Sequence, residues 1–187
     1  MVTMHTVVDA LLSPSRICSR SEFLARSCPV PKEGGIYAWY FRELPPAVPC
    51  CRVPEFKGLK LLYIGTSPAT ANSRNNLRRR IRADFNRNAS CSTLRMTLGC
   101  LLADKLSIVV RRAGGRLTFG EGEAKLSDWM EANAYVAWVE HERPWSIEEE
   151  IIRKVSPLLN LDHNKESCFH RELSEIRRQC IANARAT

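Results

Sequence analysis

Two strand-borne tyrosines, an arginine-rich helix and one inward-pointing glutamate are the residues of this chain whose types and spacing could do chemistry on an anion. Gly35-Ile36-Tyr37 opens one apolar run, Tyr63-Ile64-Gly65 closes the next, and Glu148 stands in the first turn of a late amphipathic segment. At 100° per residue Glu148 falls close to Ile151 and Val155, roughly 50° from the centre of the apolar face, while Glu149 points away and Glu150 sits at its edge. A carboxylate on an inward face has to be hydrogen-bonded, paired with a cation or bound to a metal, because an isolated buried charge is costly. The angles leave an arginine partner and a metal equally open. Alternation puts Leu59, Leu61, Tyr63 and Gly65 on one face, and Tyr37 with Trp39 and Phe41. That placement suits core packing as well as catalysis. Gly65 permits close approach of backbone to a phosphate or a helix. Arg78, Arg80 and Arg82 all flank the stripe of Leu77, Ile81 and Phe85, so periodicity does not choose among them, and Arg79 faces outward.

Positioning these groups falls to a modest set of elements. An opening helical pattern runs to about Arg26 and ends at Pro29-Val30-Pro31-Lys32-Glu33-Gly34; Gly35 to Phe41 then reads as a strand. A loop from Pro45 to Gly58 with four prolines leads to a second strand, Leu59 to Gly65. Asn76 is placed to cap the arginine-rich helix. A further helix is predicted over Thr93 to Leu106, then a hairpin of Ser107 to Arg112 and Arg116 to Phe119 around Ala113-Gly114-Gly115. Glu121 to Asn133 has helical period and Ala134 to Val139 strand character. Ser146-Ile147-Glu148-Glu149 fits a capping box for a helix carrying Ile147, Ile151, Val155 and Leu158. His170 to Ala184 reads as a polar helical tail. There is no internal repeat.

The chain has 187 residues, 44% of them hydrophobic, which is enough to bury a sizeable core as one domain. Lys and Arg exceed Asp and Glu by 28 to 20, and the pI is near 9.3. That balance favours polyanions through counterion release. The excess is local: seven arginines lie between Arg74 and Arg95 against the single acid Asp84, whereas Glu121 to Glu150 is mostly acidic. The apolar start of the chain carries Asp9 and lacks a basic leader, so it does not read as a signal peptide, and no run suits a membrane span.

Eight cysteines contain no C-x-x-C pair, which argues against zinc, and their scatter suits a reducing cytoplasm. Cys100, in an apolar run, reads as a core residue. The neighbours Cys50 and Cys51 sit in the Pro-rich loop as a lesser candidate for a redox pair. His163, in Asp162-His163-Asn164, reads as a surface-loop residue near Asn160. Cys168 and His170 lack partners at metal spacing. Thr118 to Glu123 has two glycines but no following lysine, so it is no phosphate-binding loop.

The ordered set of Gly35-Ile36-Tyr37, Tyr63-Ile64-Gly65, Leu77-Arg78-Arg79-Arg80-Ile81, Glu148, Pro157 and Asn160 resembles the GIY-YIG nuclease family. The resemblance implies an α+β fold with a small, mainly antiparallel three-stranded central sheet and flanking helices, here with an inserted helix and hairpin. It implies a nuclease domain over 35–164, preceded by a helical extension (1–34) and followed by a helical tail (165–187). Tyr37, Tyr63, Arg80, Glu148 and Asn160 take the catalytic positions, with Glu148 the metal ligand. The loop between Tyr37 and Tyr63 is longer than in most members and Pro-rich, and the inserted helix and hairpin also depart from the pattern.

The activity so implied is Mg²⁺-dependent hydrolysis of phosphodiester bonds in DNA at a single-metal site, with Mn²⁺ able to substitute. Tyr37 would take the proton from water, Arg80 hold the phosphate through its planar fork, and Tyr63 orient water or phosphate. Arg74, Arg78, Arg79, Arg82 and Arg87 would contact nucleic acid. Two alternatives stand beside this: a non-cleaving nucleic-acid-binding module on the same fold, and a nuclease directed at RNA.

Overall fold

The computed structural model describes residues 4–50, 53–86 and 88–186; Met1 to Thr3, Cys51, Arg52, Arg87 and Thr187 lie outside the described residues. In chain order the elements are α1 (Met4–Leu12), β1 (Cys18–Ser19), α2 (Arg20–Leu24), β2 (Gly35–Phe41), β3 (Glu55–Phe56), β4 (Leu59–Ser67), α3 (Leu77–Asn86), α4 (Thr93–Leu101) and α5 (Ala103–Leu106). There follow β5 (Arg111–Ala113), β6 (Arg116–Thr118), α6 (Gly122–Asn133), β7 (Ala134–Glu140), α7 (Glu148–Val155), α8 (His170–Ala182) and β8 (Arg185–Ala186). Short 3₁₀ turns occupy Ala89–Cys91 and Pro144–Ser146.

Every residue of β2 is buried, because helices cover both faces of the sheet in which it is the central strand. Its odd-numbered side chains, Tyr37, Trp39 and Phe41, join Leu77, Ile81 and Phe85 of α3 and the apolar faces of α4 and α6. Its even-numbered side chains, Ile36, Ala38 and Tyr40, meet Val7, Val8 and Leu11 of α1 and Ile151 and Ile152 of α7. Gly35 makes the first arrangement possible, since a Cβ there would lie 2.7 Å from Leu77 Cδ1. Among the described residues no helix is long and apolar enough to cross a membrane.

The fold is α+β, as expected, but the main sheet has five strands rather than three, in the order β1-β7-β2-β4-β3 and antiparallel throughout. The three long strands are the expected ones, and the two added edge strands have two residues each. β3 reaches β4 around Lys57 and Gly58, both at positive φ as a tight hairpin turn requires, yet Lys-Gly inside a Pro-rich loop is a weak hairpin signal. β1 sits just before α2, where Ser19 and Glu22 form a capping box; the continuous opening helix is thus two short helices. A second sheet, β6-β5-β8, ties the hairpin to the chain's end.

A bulge changes which residues of β4 share a face. The pairing steps from Trp39↔Tyr63 to Tyr40↔Leu61, leaving Leu62 as an extra residue. Leu61 therefore packs with the α1–α7 side and Tyr63 with the α3 side, so strict alternation, which put them together, fails here. The predicted helix over Thr93 to Leu106 breaks at Leu102 (φ −100°, ψ 5°). The hairpin strands are also shorter than the apolar run, because Ile108 and Val110 turn inward to pack and Gly122 closes on Ile108.

Candidate active site

α3 starts where Asn76 Oδ1 accepts the backbone N–H of Arg79 at 2.9 Å, as an N-cap should. Its buried stripe includes Asp84 as well as Leu77, Ile81 and Phe85, and this stripe aims Arg80 across β2 and β4. Arg80 Nε donates to the Tyr37 hydroxyl at 2.9 Å, and Nη1 donates to the Cys91 carbonyl at 3.3 Å. Nη2 lies 3.8 Å from Asp84 Oδ1, one turn further along the helix. Asp84 is fully buried and accepts from Ser92 Oγ at 2.7 Å and from Trp39 Nε1 at 3.3 Å. Burial raises its pKa, against the pull of Arg80 and these donors. Sequence reasoning saw Asp84 only as the lone acid of a basic stretch. Its i+4 spacing from Arg80 on the buried face was the signal available.

Tyr37 is 1% exposed and Tyr63 8%. Gly65, paired with Tyr37 across the strands, exists for this ring: a Cβ there would come within 2.6 Å of Tyr37 Cζ. The close approach that Gly65 permits is therefore to a side chain of the next strand. Burial pushes the Tyr37 pKa well above 10, helped by Asp84 and Tyr63, and outweighs the opposing charge of Arg80. Tyr63 is pushed up to about 12, by burial first and Asp84 next, while Arg80 pulls it down. Tyr63 also borders a polar cavity of about 350 Å³ that Tyr37 does not reach.

Glu148 lines the same cavity, with Asn160, Asp162, His163 and Arg177. The expected capping box is not formed. Pro144 starts a 3₁₀ turn in which Ser146 Oγ donates to the Arg143 carbonyl at 2.7 Å, so α7 begins at Glu148 with no side-chain cap. Three glutamates in that first turn complement the helix dipole instead. Glu149 pairs with Arg153 at 2.7 Å and lies 3.6 Å from His163, while none of the ion pairs among the described residues involves Glu148. Burial raises the Glu148 pKa; the Thr66 hydroxyl, His163 and Arg80 pull it down, in that order. Thr66 Oγ1 is itself buried, with no well-formed hydrogen bond among the described residues.

Asn160 is used at both ends of its amide. Its Oδ1 accepts from the Ile64 N–H at 2.9 Å and its Nδ2 donates to the Ile64 carbonyl at 2.8 Å. With Leu159 N donating to the Leu62 carbonyl at 2.8 Å, the segment after α7 closes the edge of β4 that β3 leaves open. The chain thereby brings Glu148, from one side of the sheet, next to Tyr63 on the other.

The expected nucleic-acid contacts divide. Arg74 and Arg79 are exposed. Arg78 is instead a strut, its Nε donating to the Val30 carbonyl at 2.6 Å and Nη2 to the Cys28 carbonyl at 3.3 Å. Arg82 is exposed but lies over the Phe23 ring at 5.8 Å. Arg87 lies outside the described residues. Arg95, counted in the basic stretch, is wholly buried and bridges Glu123 to the carbonyls of Asp84 and Phe85.

Among the described residues no group of three or more His, Cys, Asp or Glu is placed to hold a metal. The Glu148 cavity still fits a hard, oxygen-preferring cation that keeps most of its waters: the carboxylates of Glu148 and Asp162 line it, neither in an ion pair among the described residues, and it has room for solvent. The family model of the GIY-YIG catalytic domain matches residues 35–179, so the chain belongs to the GIY-YIG family, whose domain marks a nuclease. That span continues through most of α8. Neither the curated proteins nor the solved structures yield a match.

Proposed function

We propose that this protein is a Mg²⁺-dependent endonuclease that hydrolyses phosphodiester bonds in DNA at a single-metal site, with Mn²⁺ able to replace Mg²⁺. The observation that carries the reading is the half-buried carboxylate of Glu148, in no ion pair among the described residues, in a polar cavity beside Tyr63 with Arg80 behind it. Glu148 would hold the ion, which would neutralise charge on the phosphoryl oxygens. Arg80, braced by Tyr37 and Asp84, presents the rest of its guanidinium to the scissile phosphate. Tyr37 acts as a positioning residue for Arg80. Tyr63, the tyrosine that borders the cavity, orients the attacking water and, in its phenolate form, takes the water's proton to become the neutral phenol. This moves to Tyr63 the proton-accepting role that resemblance alone assigned to Tyr37, and exposure to the cavity is the reason. The exposed Arg74 and Arg79 add phosphate contacts. The scattered thiols support a cytoplasmic setting.

Supercoiled plasmid and duplex, flap, branched and single-stranded oligonucleotides, DNA and RNA, incubated with and without Mg²⁺, test the proposal. Nicking of DNA that appears with Mg²⁺ and disappears with chelator is the expected result. Binding without cleavage on every substrate, or cleavage of RNA alone, contradicts it.

A further inference from the structure

Two cavities meet at Thr93 and Arg177, which line both. The first holds the acids Glu148 and Asp162. The second, about 490 Å³, is lined by Arg80, Arg116 and Arg177 and by no aspartate or glutamate. Ser90, Cys91 and Thr93 complete the wall between the 3₁₀ turn and the start of α4. Arg177 and His163 face Glu148 and Asp162 at the proposed metal end, and beyond it the charged side chains of the trough are all arginines.

The three guanidiniums come from three separate elements. Arg80 belongs to α3, Arg116 stands exposed at the head of β6, and Arg177 projects from α8. On α8, Leu173 is buried and Ile176 and Cys180 pack on the core, which anchors the helix to α4. Arg177 and Ile181, one turn apart, share the side that lines the second cavity. Arg177 Nε is buried with no hydrogen-bond partner among the described residues, while the half-buried side chain as a whole lines both cavities. A buried cationic donor without a partner calls for an anion, and a planar fork suits a phosphate oxygen pair.

We propose that Arg177 and Arg116, with Arg80, form a phosphate-binding track that leads the nucleic-acid strand away from the scissile bond. The C-terminal helix is then part of the substrate site, and the inserted hairpin supplies its outer wall. This inference rests on the nuclease reading above and extends it to residues that carry no motif.

The test measures binding, so that cleavage is not needed. Full-length Glu148→Gln protein serves as the parent, and labelled DNA oligonucleotides are titrated by fluorescence anisotropy over a range of salt concentrations. Arg177→Gln and Arg116→Ala are added separately to that parent. Arg178→Ala, an exposed neighbour paired with Glu175 at 2.6 Å, is the control. Each of the first two variants should weaken binding and reduce the slope of log affinity against log salt by about 1, one phosphate contact's worth. Arg177→Lys should keep the slope, since it keeps the charge. The control should match the parent. If Arg177→Gln does not fold, Arg116→Ala in the exposed hairpin decides alone. Unchanged affinity and slope in folded Arg177→Gln and Arg116→Ala overturn the track. A parent that binds no nucleic acid overturns the nuclease reading and the track together.

Discussion

Arg80 Nε donates to the Tyr37 hydroxyl at 2.9 Å, so the tyrosine of one motif and the arginine of another act as a single unit held between β2 and α3. Gly65 is the third member, because only the absence of its side chain lets the Tyr37 ring reach that position. Two substitutions probe the unit from opposite sides. Tyr37→Phe keeps the ring and removes the acceptor, leaving a charged donor unpaired at a cost of about 1–3 kcal/mol. Gly65→Ala keeps the hydroxyl and displaces the ring. Both should lower kcat more than they raise KM, with circular dichroism showing a folded protein. A Tyr37→Phe enzyme with full kcat would show that Arg80 needs no such support.

Four arginines of α3 should give three different outcomes. Arg80→Ala removes turnover. Arg79→Ala, at an exposed position, leaves kcat intact, weakens binding modestly and lowers the salt slope by about 1. Arg78→Ala and Arg82→Ala act through packing on the N-terminal segment, so thermal melting falls while the salt slope holds, and more so for Arg78 with its two carbonyl partners. Equal loss of turnover in all four would reduce the helix to an undifferentiated basic surface.

Much of this was legible in the sequence where a local rule acts alone. The apolar run Gly35 to Phe41 gave β2 its bounds, and Ile147, Ile151 and Val155 put Glu148 on the inward edge of α7. What local rules missed depends on partners distant in the chain. The bulge at Leu62 appears only when β4 meets β2, and it separates Leu61 from Tyr63 although they are two residues apart. Ser146 satisfies the capping-box pattern, yet Pro144 draws it into a 3₁₀ turn first. Arg78 and Arg95 look like Arg79 in a count of charges; only the carbonyls they meet distinguish them. The motif position of Asn160 suggested catalysis, whereas its amide is spent on the backbone of Ile64.

Asn160 should consequently behave as a clasp. Asn160→Ala strands a buried N–H and a buried carbonyl of β4, an expected loss of about 2–4 kcal/mol, or roughly 5–15 °C in Tm for a chain of this size. Asn160→Asp keeps the acceptor for the Ile64 N–H but sets a buried anionic oxygen against the Ile64 carbonyl, so at neutral pH it should melt no higher than Asn160→Ala. Activity in both should recover at low temperature in proportion to the folded fraction. An Asn160→Ala protein that melts like the parent and is still inactive would return the residue to the chemistry.

The pH dependence separates the tyrosines. Burial holds Tyr63 near 12, so at neutral pH only a small fraction is phenolate, and that fraction grows tenfold per pH unit. If Tyr63 takes the proton, log kcat climbs with pH between about 7 and 9, and Tyr63→Phe flattens the climb. A parent profile flat across that interval removes Tyr63 from the role.

Glu148→Gln is the most direct test of the account, read by two instruments on the same metal-free preparation. The carboxylate's pKa is raised above its unfolded value of about 4.5, with burial the main cause. A raised carboxylate contributes its stability below the unfolded pKa and loses it as pH rises through the folded one, so at neutral pH the charge opposes folding. The amide carries no such penalty and cannot supply the anion a hard cation prefers. Glu148→Gln should melt at or above the parent's Tm at pH 7 and nick no plasmid with Mg²⁺, while Glu149→Gln, on the outward face, should cut like the parent. A Glu148→Gln protein that melts well below the parent, or that still nicks DNA with Mg²⁺, would contradict the metal-ligand role of Glu148.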